Sequence, residues 1–198
     1  MNYFKYININ EYELVLEKSR KFVLETYNTY LEKHESLFQL INWKSYVNYC
    51  PEILTAFSDY KLEPVTGYIY IIFDQKLAPI HIDYISNFVN KCRINIPIFN
   101  CEHSKTLFYR KINNAGVVTP QMVKINKGLS SSSYIRYDEN DSALEKVDEV
   151  IVDKPTILRV QEPHRVIIDP THIPRVVLTI QTRKDPVYLL EEVENETC

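Results

Sequence analysis

Residues 65–85 read VTGYIYIIFDQKLAPIHIDYI, and this stretch decides the fold. Val65 to Asp74 is rich in Val, Thr, Tyr, Ile and Phe, residue types that suit a pleated, half-buried surface. A connection containing Pro79 follows, then a second short run, IHIDYI. The same texture continues to residue 183 in RINIPIF, KTLFYR, VVTPQMVKI, YIRY, EVIV, TILRVQ, RVIID and RVVLTIQTR. Strand-like runs recurring about every ten residues predict a sandwich or barrel rather than strand–helix–strand repeats. NNAG (113–116) and the serines Ser130 to Ser133 read as turn-like or polar separators. DENDSALEKVDE (138–149) reads as a polar loop, and no fixed-period repeat is present.

Upstream the pattern is different. EYELVLEKSRKFVLETYNTYLEKH (11–34) places Tyr12, Leu16, Val23, Tyr27, Tyr30 and Leu31 at helical spacing with charges between them. LFQLINWKSYVNY (37–49) reads as a second helix, stopped before Pro51. The expected organisation is therefore one domain that is mainly β with N-terminal helices. A helical layer spans about 1–64, a β core about 65–185, and an acidic tail 186–198, where LLEEVENETC carries four glutamates and no base.

The 198 residues suffice for a substantial core, and a 45% hydrophobic fraction is that of a folded protein. A net charge of −3 argues against a large nucleic-acid footprint. The apolar runs fall far short of the roughly 20 residues that cross a bilayer, so no membrane partner is expected. MNYFKYININEYEL lacks the basic, apolar, small-residue order of an export signal, which predicts a cytoplasmic protein. Cys50, Cys92, Cys101 and Cys198 form no CxxC pair and read as free thiols.

The chemistry concentrates in three residues. His81 and Asp83 stand one residue apart on one predicted strand, so their side chains share a face and Ile82 points away. His164 follows about eighty residues later in EPHRVIID. Each histidine alone reads as an ordinary surface or core residue. Together, two imidazoles and one carboxylate suit Fe(II) with one side left open, although Mn, Co or Ni can take the same ligands. Arg175 begins RVVLTIQTR, eleven residues beyond His164. Its planar fork can hold a carboxylate through two hydrogen bonds. Arg175, Val177, Thr179 and Gln181 share one face of that strand; Val176, Leu178 and Ile180 share the other, the face expected beneath the helices. Arg93 and Asn95 alternate with Ile94 and Ile96. If that polar face looks inward, Asn95 can donate to a bound anion and Tyr109 can add its hydroxyl; otherwise Arg93 and Asn95 face water and Tyr109 is core. His34, His103 and His172 read as non-ligating.

HID, RINIPIFN, KTLFYR, EPHRVIID and PRVVLTIQTR, in this order, resemble the 2-oxoglutarate and Fe(II)-dependent oxygenases. The likeness is to the small prolyl-hydroxylase-like proteins of phages, large viruses and bacteria, and it covers about residues 68–183. It implies a double-stranded β-helix, a jelly-roll, cupin-like fold with helices packed on its major sheet. It implies His81, Asp83 and His164 as iron ligands, Arg175 on the distal carboxylate of 2-oxoglutarate, and Tyr109 and Asn95 as further cosubstrate contacts. Ascorbate would be a supporting reductant. A virus- or phage-encoded chain would act in the host cytoplasm. The substrate class is a peptide or small molecule, with peptidyl proline, other peptides, amino acids and modified nucleobases open. One departure is Val177, where many members carry Ser or Thr. Two competing readings are a non-catalytic binding module on the same fold and a cupin-type metal enzyme that does not use 2-oxoglutarate.

Overall fold

The computed structural model describes residues 1–75, 78–84, 90–112, 121–127, 130–138 and 142–191. Among them the chain forms two six-stranded antiparallel sheets and few helices, a mainly β architecture that fits a sandwich. The first sheet runs β1 (Phe4–Tyr6), β10 (Thr156–Arg159), β5 (Cys92–Phe99), β12 (Arg175–Thr182), β3 (Pro64–Ile72) and β2 (Leu37–Leu40). The second runs β7 (Gln121–Lys127), β8 (Ser130–Arg136), β4 (His81–Tyr84), β11 (His164–Ile168), β6 (Ser104–Lys111) and β9 (Leu144–Val150). Helices α1 (Tyr12–Glu32) and α2 (Trp43–Tyr49) precede β3, and the short α3 (Tyr188–Glu191) ends the described chain.

The main core lies on one face of the first sheet. Ile69 and Ile71 of β3, Ile94, Ile96 and Ile98 of β5, and Val176, Leu178 and Ile180 of β12 are all buried there. They meet Val15, Phe22 and Val23 of α1 and Tyr46 of α2 in one cluster. Each such side chain contributes about 1.5–3 kcal/mol when fully buried. Ser19 ties the two helices together, its hydroxyl donating to the Val15 carbonyl at 2.6 Å and sharing a hydrogen bond with the Tyr46 hydroxyl at 2.7 Å. Arg20 donates to the Ile98 carbonyl at 3.0 Å, which fixes α1 over β5.

The strand period forces a consequence. If Val176, Leu178 and Ile180 lie under the helices, Arg175, Val177 and Thr179 must face the second sheet. The register extends that face sideways: Val177 pairs with Tyr70, and Thr179 pairs with Tyr68 on one side and Asn95 on the other. Arg175 reaches across the sandwich, its Nε donating to the Ser104 hydroxyl of β6 at 2.8 Å. The inner face of the first sheet is thus polar and aromatic, while its outer face is aliphatic.

Several local expectations are corrected. Leu37–Leu40 is strand β2, not the start of a helix. Pairing with β3 sets Phe38 beside Tyr68 and Tyr70, with ring centroids 5.5 and 4.3 Å away. The helix begins only at Trp43, where the Asn42 side chain accepts from the Ser45 amide at 3.1 Å. Phe4–Tyr6 adds an unexpected edge strand paired with β10. LEKVDEV is strand β9, not loop, and EVIV is strand only to Val150. As the outermost strand beside β6 it carries Glu145, Lys146 and Glu149, and such charge discourages edge-to-edge association. Ion pairs Lys105–Glu149 and Arg110–Glu145 cross to β6 at 2.8 Å each. Ser130–Ser133 belongs to β8, hydrogen-bonded between β4 and β7. In the acidic tail, Leu189 and Leu190 are buried against the core, while residues 192–198 and the NNAG segment lie outside the described residues. Cys50, Cys92 and Cys101 are free and buried; Cys198 is outside the described set.

Candidate metal centre

β4 and β11 are neighbours, and their one recorded register pair is His81 opposite His164. Antiparallel pairing puts directly opposed side chains on the same face at close range. The two imidazole centroids are 4.4 Å apart. Asp83, two residues along β4, falls on that face as well, with Oδ1 3.5 Å from His81 Nε2. One ligand atom from each of the three residues lies within 4.8 Å of the others, and among the described residues this is the group of His, Cys, Asp or Glu that could hold a metal ion. Pro79 and Pro163 each stand two residues or fewer before a histidine and restrict the backbone that presents it.

Each ring is oriented from behind. His81 Nδ1 lies 2.8 Å from the Pro79 carbonyl and His164 Nδ1 lies 2.9 Å from the Glu162 carbonyl. A carbonyl cannot donate, so each Nδ1 carries the hydrogen and each neutral ring keeps its lone pair on Nε2. That is the tautomer a metal requires, fixed by backbone partners.

The electrostatics agree with this division. Burial and the neighbouring His81 push the His164 pKa down to about 4, so the ring is neutral at ordinary pH. Burial also opposes charge on His81, but the hydrogen bond and charge of Asp83 outweigh it and raise its pKa. Burial disfavours the Asp83 carboxylate; His81, His164 and Arg93 overcome that and lower its pKa. The site holds a carboxylate and one readily neutral imidazole, a donor set suited to a divalent transition metal.

Arg175 is 3% exposed, and burial presses its pKa downward. Its recorded hydrogen bond uses Nε, toward Ser104, whose own hydroxyl donates to the Cys101 carbonyl at 2.8 Å. The terminal fork has no acceptor among the described residues. Val177 supplies no hydroxyl beside it, and Ser104 from β6 steadies the guanidinium instead. Asn95 faces inward, its Oδ1 accepting from the Thr179 hydroxyl at 2.8 Å, which leaves the amide group as a donor. Arg93 is on the same inner face and 2% exposed, with its Nη1 buried and lacking a hydrogen-bond partner.

Tyr109 is half-buried and follows Phe108 across a register shift of β6. Its amide donates to the Pro163 carbonyl at 2.8 Å, beside the His164 backbone. Ser104, Thr106 and Phe108 are the buried, alternate residues of this strand, and Phe108 lies 6.2 Å from His164 between ring centroids. His103 and His172 are exposed and stack on each other, and His34 is exposed at the end of α1.

Tyr68, Tyr70 and Ser104 were not singled out by the sequence reading. Burial raises the Tyr70 pKa well above its ordinary value, reinforced by Asp83 and opposed by Arg93 and Arg175. Tyr68 is raised too, with burial the chief cause. Both are hydroxyl donors at neutral pH. The signal for them was present in YIYII: once Ile69 and Ile71 are assigned to the helix-covered face, Tyr68 and Tyr70 must line the interior. Comparison with protein-family models and with curated proteins gives no match for this chain.

Proposed function

We propose that this chain is an Fe(II)- and 2-oxoglutarate-dependent dioxygenase that hydroxylates a C–H bond, and that its sandwich is a double-stranded β-helix. The observation that carries the reading is a pair. Two histidines with carbonyl-fixed tautomers converge with one carboxylate, and a buried arginine on the facing sheet offers an open fork. A cupin-type metal enzyme needs the first feature but gives Arg175 no task.

His81, Asp83 and His164 would hold the iron, and Arg175 would hold the distal carboxylate of 2-oxoglutarate. The Asn95 amide and the Tyr68 and Tyr70 hydroxyls supply further donors on the same inner face. Tyr109 remains a cosubstrate candidate by resemblance. Iron with its cosubstrate supplies oxygen activation. One oxygen atom enters the substrate as hydroxyl, the other enters succinate, and carbon dioxide leaves. The chain's share is orientation and exclusion of water. Ser104 braces Arg175, the carbonyls of Pro79 and Glu162 brace the imidazoles, and two sheets enclose the site.

The test is anaerobic addition of Fe(II) and then 2-oxoglutarate, followed by absorption spectroscopy. The reading expects a weak visible charge-transfer band that saturates at one equivalent, and slow succinate formation on admitting air. Iron-loaded protein with neither band nor succinate would rule it out.

A further inference from the structure

We propose that Arg93 is a second anion anchor, for the substrate rather than the cosubstrate, so that the substrate carries a carboxylate near the C–H bond to be oxidised. This rests on the dioxygenase reading.

Arg93 is buried to 2% exposure, yet its Nη1 meets no acceptor and no carboxylate forms a salt bridge with it among the described residues. Leaving a buried guanidinium nitrogen without an acceptor is costly, and native interiors seldom do so without a reason. The side chain faces the site. β10 pairs Leu158 with Arg93 and Ile157 with Ile94, and Ile94 lies on the helix-covered face, so Arg93 lies on the inner one. Its charge acts on Asp83, Tyr68 and Tyr70, so it lies within electrostatic reach of one of the three candidate ligands.

Its position along the strands sets it apart from Arg175. β12 aligns Thr179 with Asn95 and Ile180 with Ile94, which sets Gln181 level with Arg93. Arg175 is then six residues away along the strands, or about 20 Å between backbones at roughly 3.3 Å per residue. The Asn95–Thr179 pair stands between them. A short dicarboxylate seated on Arg175 and the metal would leave Arg93 available to a second anion. Charge leads to the same place. Asp83, Arg93 and Arg175, joined by a divalent metal and a dianionic cosubstrate, retain one unit of positive charge. One further carboxylate cancels it. That carboxylate can belong to a free acid or to an acidic side chain in a peptide.

The experiment uses protein loaded with Mn(II) and excess 2-oxoglutarate. The probes are N-acetylglycine, the blocked peptide acetyl-Gly-Glu-Gly-amide, and its glutamine counterpart, which lacks a carboxylate. Line broadening of probe protons by bound Mn(II) reports seating near the metal. At least one carboxylate probe should be broadened in the wild-type protein, and the glutamine peptide should not. Response to the peptide alone marks a peptide substrate, and response to N-acetylglycine marks a free acid. Arg93→Met should reduce probe affinity by roughly 10- to 100-fold, with 2-oxoglutarate affinity changed less than about threefold. Arg93→Lys should restore part of the loss, and it carries the test if Arg93→Met fails to fold. The proposal is overturned if no carboxylate probe seats in the wild-type protein, or if seating survives Arg93→Met. It is equally overturned if 2-oxoglutarate affinity falls with probe affinity, since Arg93 would then hold the cosubstrate. If wild-type protein binds no 2-oxoglutarate yet seats a carboxylate through Arg93, the dioxygenase reading fails and the anchor stands.

Discussion

Substitution of Arg175 separates a 2-oxoglutarate enzyme from other metal-binding sandwiches. Its guanidinium is 3% exposed and braced at Nε by Ser104, with its fork uncommitted among the described residues. A carboxylate bound there would form a desolvated, two-pronged, charge-assisted contact. Removing one partner of such a pair costs about 3–5 kcal/mol, which is roughly a hundred- to several-thousand-fold in affinity. Val177 beside it has no hydroxyl to compensate, and the Ser104 hydroxyl is already given to Cys101. Arg175→Ala should therefore lose 2-oxoglutarate binding by that factor while retaining the metal. Arg175→Lys should fall between, because an ammonium cannot reproduce the fork. Calorimetry on the Mn(II)-substituted protein measures both without turnover. Near-wild-type affinity in a folded Arg175→Ala protein would refute the reasoning, because the anion would then be held elsewhere.

The remaining expectations concern metal, pH and core. Asp83→Ala or His164→Ala should abolish stoichiometric Fe(II) binding, and His103→Ala or His172→Ala should not; metal analysis after gel filtration decides. Metal affinity should fall with acid. His81 has a raised pKa, so below that pKa a proton must leave before the metal can bind, whereas His164, near 4, is already neutral. Metal affinity that stays flat from pH 8 to 5 would contradict that assignment. In the metal-free protein, His164 acts on stability in the depressed-pKa sense. The unfolded ring takes up a proton near its ordinary value and the folded ring only near 4, so the His164 share of the stability present at neutral pH should drain away between those points, while His81, with its raised pKa, acts in the opposite sense. Ile180→Ala, in the fully buried sheet–helix core, should cost about 2–5 kcal/mol in urea denaturation. A cost under 1 kcal/mol would mean the helices do not seal that face.

The sequence alone determined what period and residue type can carry. Alternation in IHID put His81 and Asp83 on one face, and alternation in RVVLTIQTR and RINI sorted aliphatic from polar positions, which the helices and the sandwich interior then occupy. The α1 stripe was equally legible. Segments whose state depends on a distant partner were not. Leu37–Leu40 is a strand because β3 lies beside it, and LEKVDEV is a strand because β6 does; neither partner is near in sequence. The convergence of His164 on His81 likewise comes only from the β4–β11 pairing. For RVVLTIQTR the helix-covered side was already expected, but for RINI tertiary structure decided which side is inside. A two-residue period defines two faces but does not say which is dry. The helices, by covering the isoleucine face, turned Arg93, Asn95, Tyr68 and Tyr70 toward the second sheet, which carries His81, Asp83 and His164.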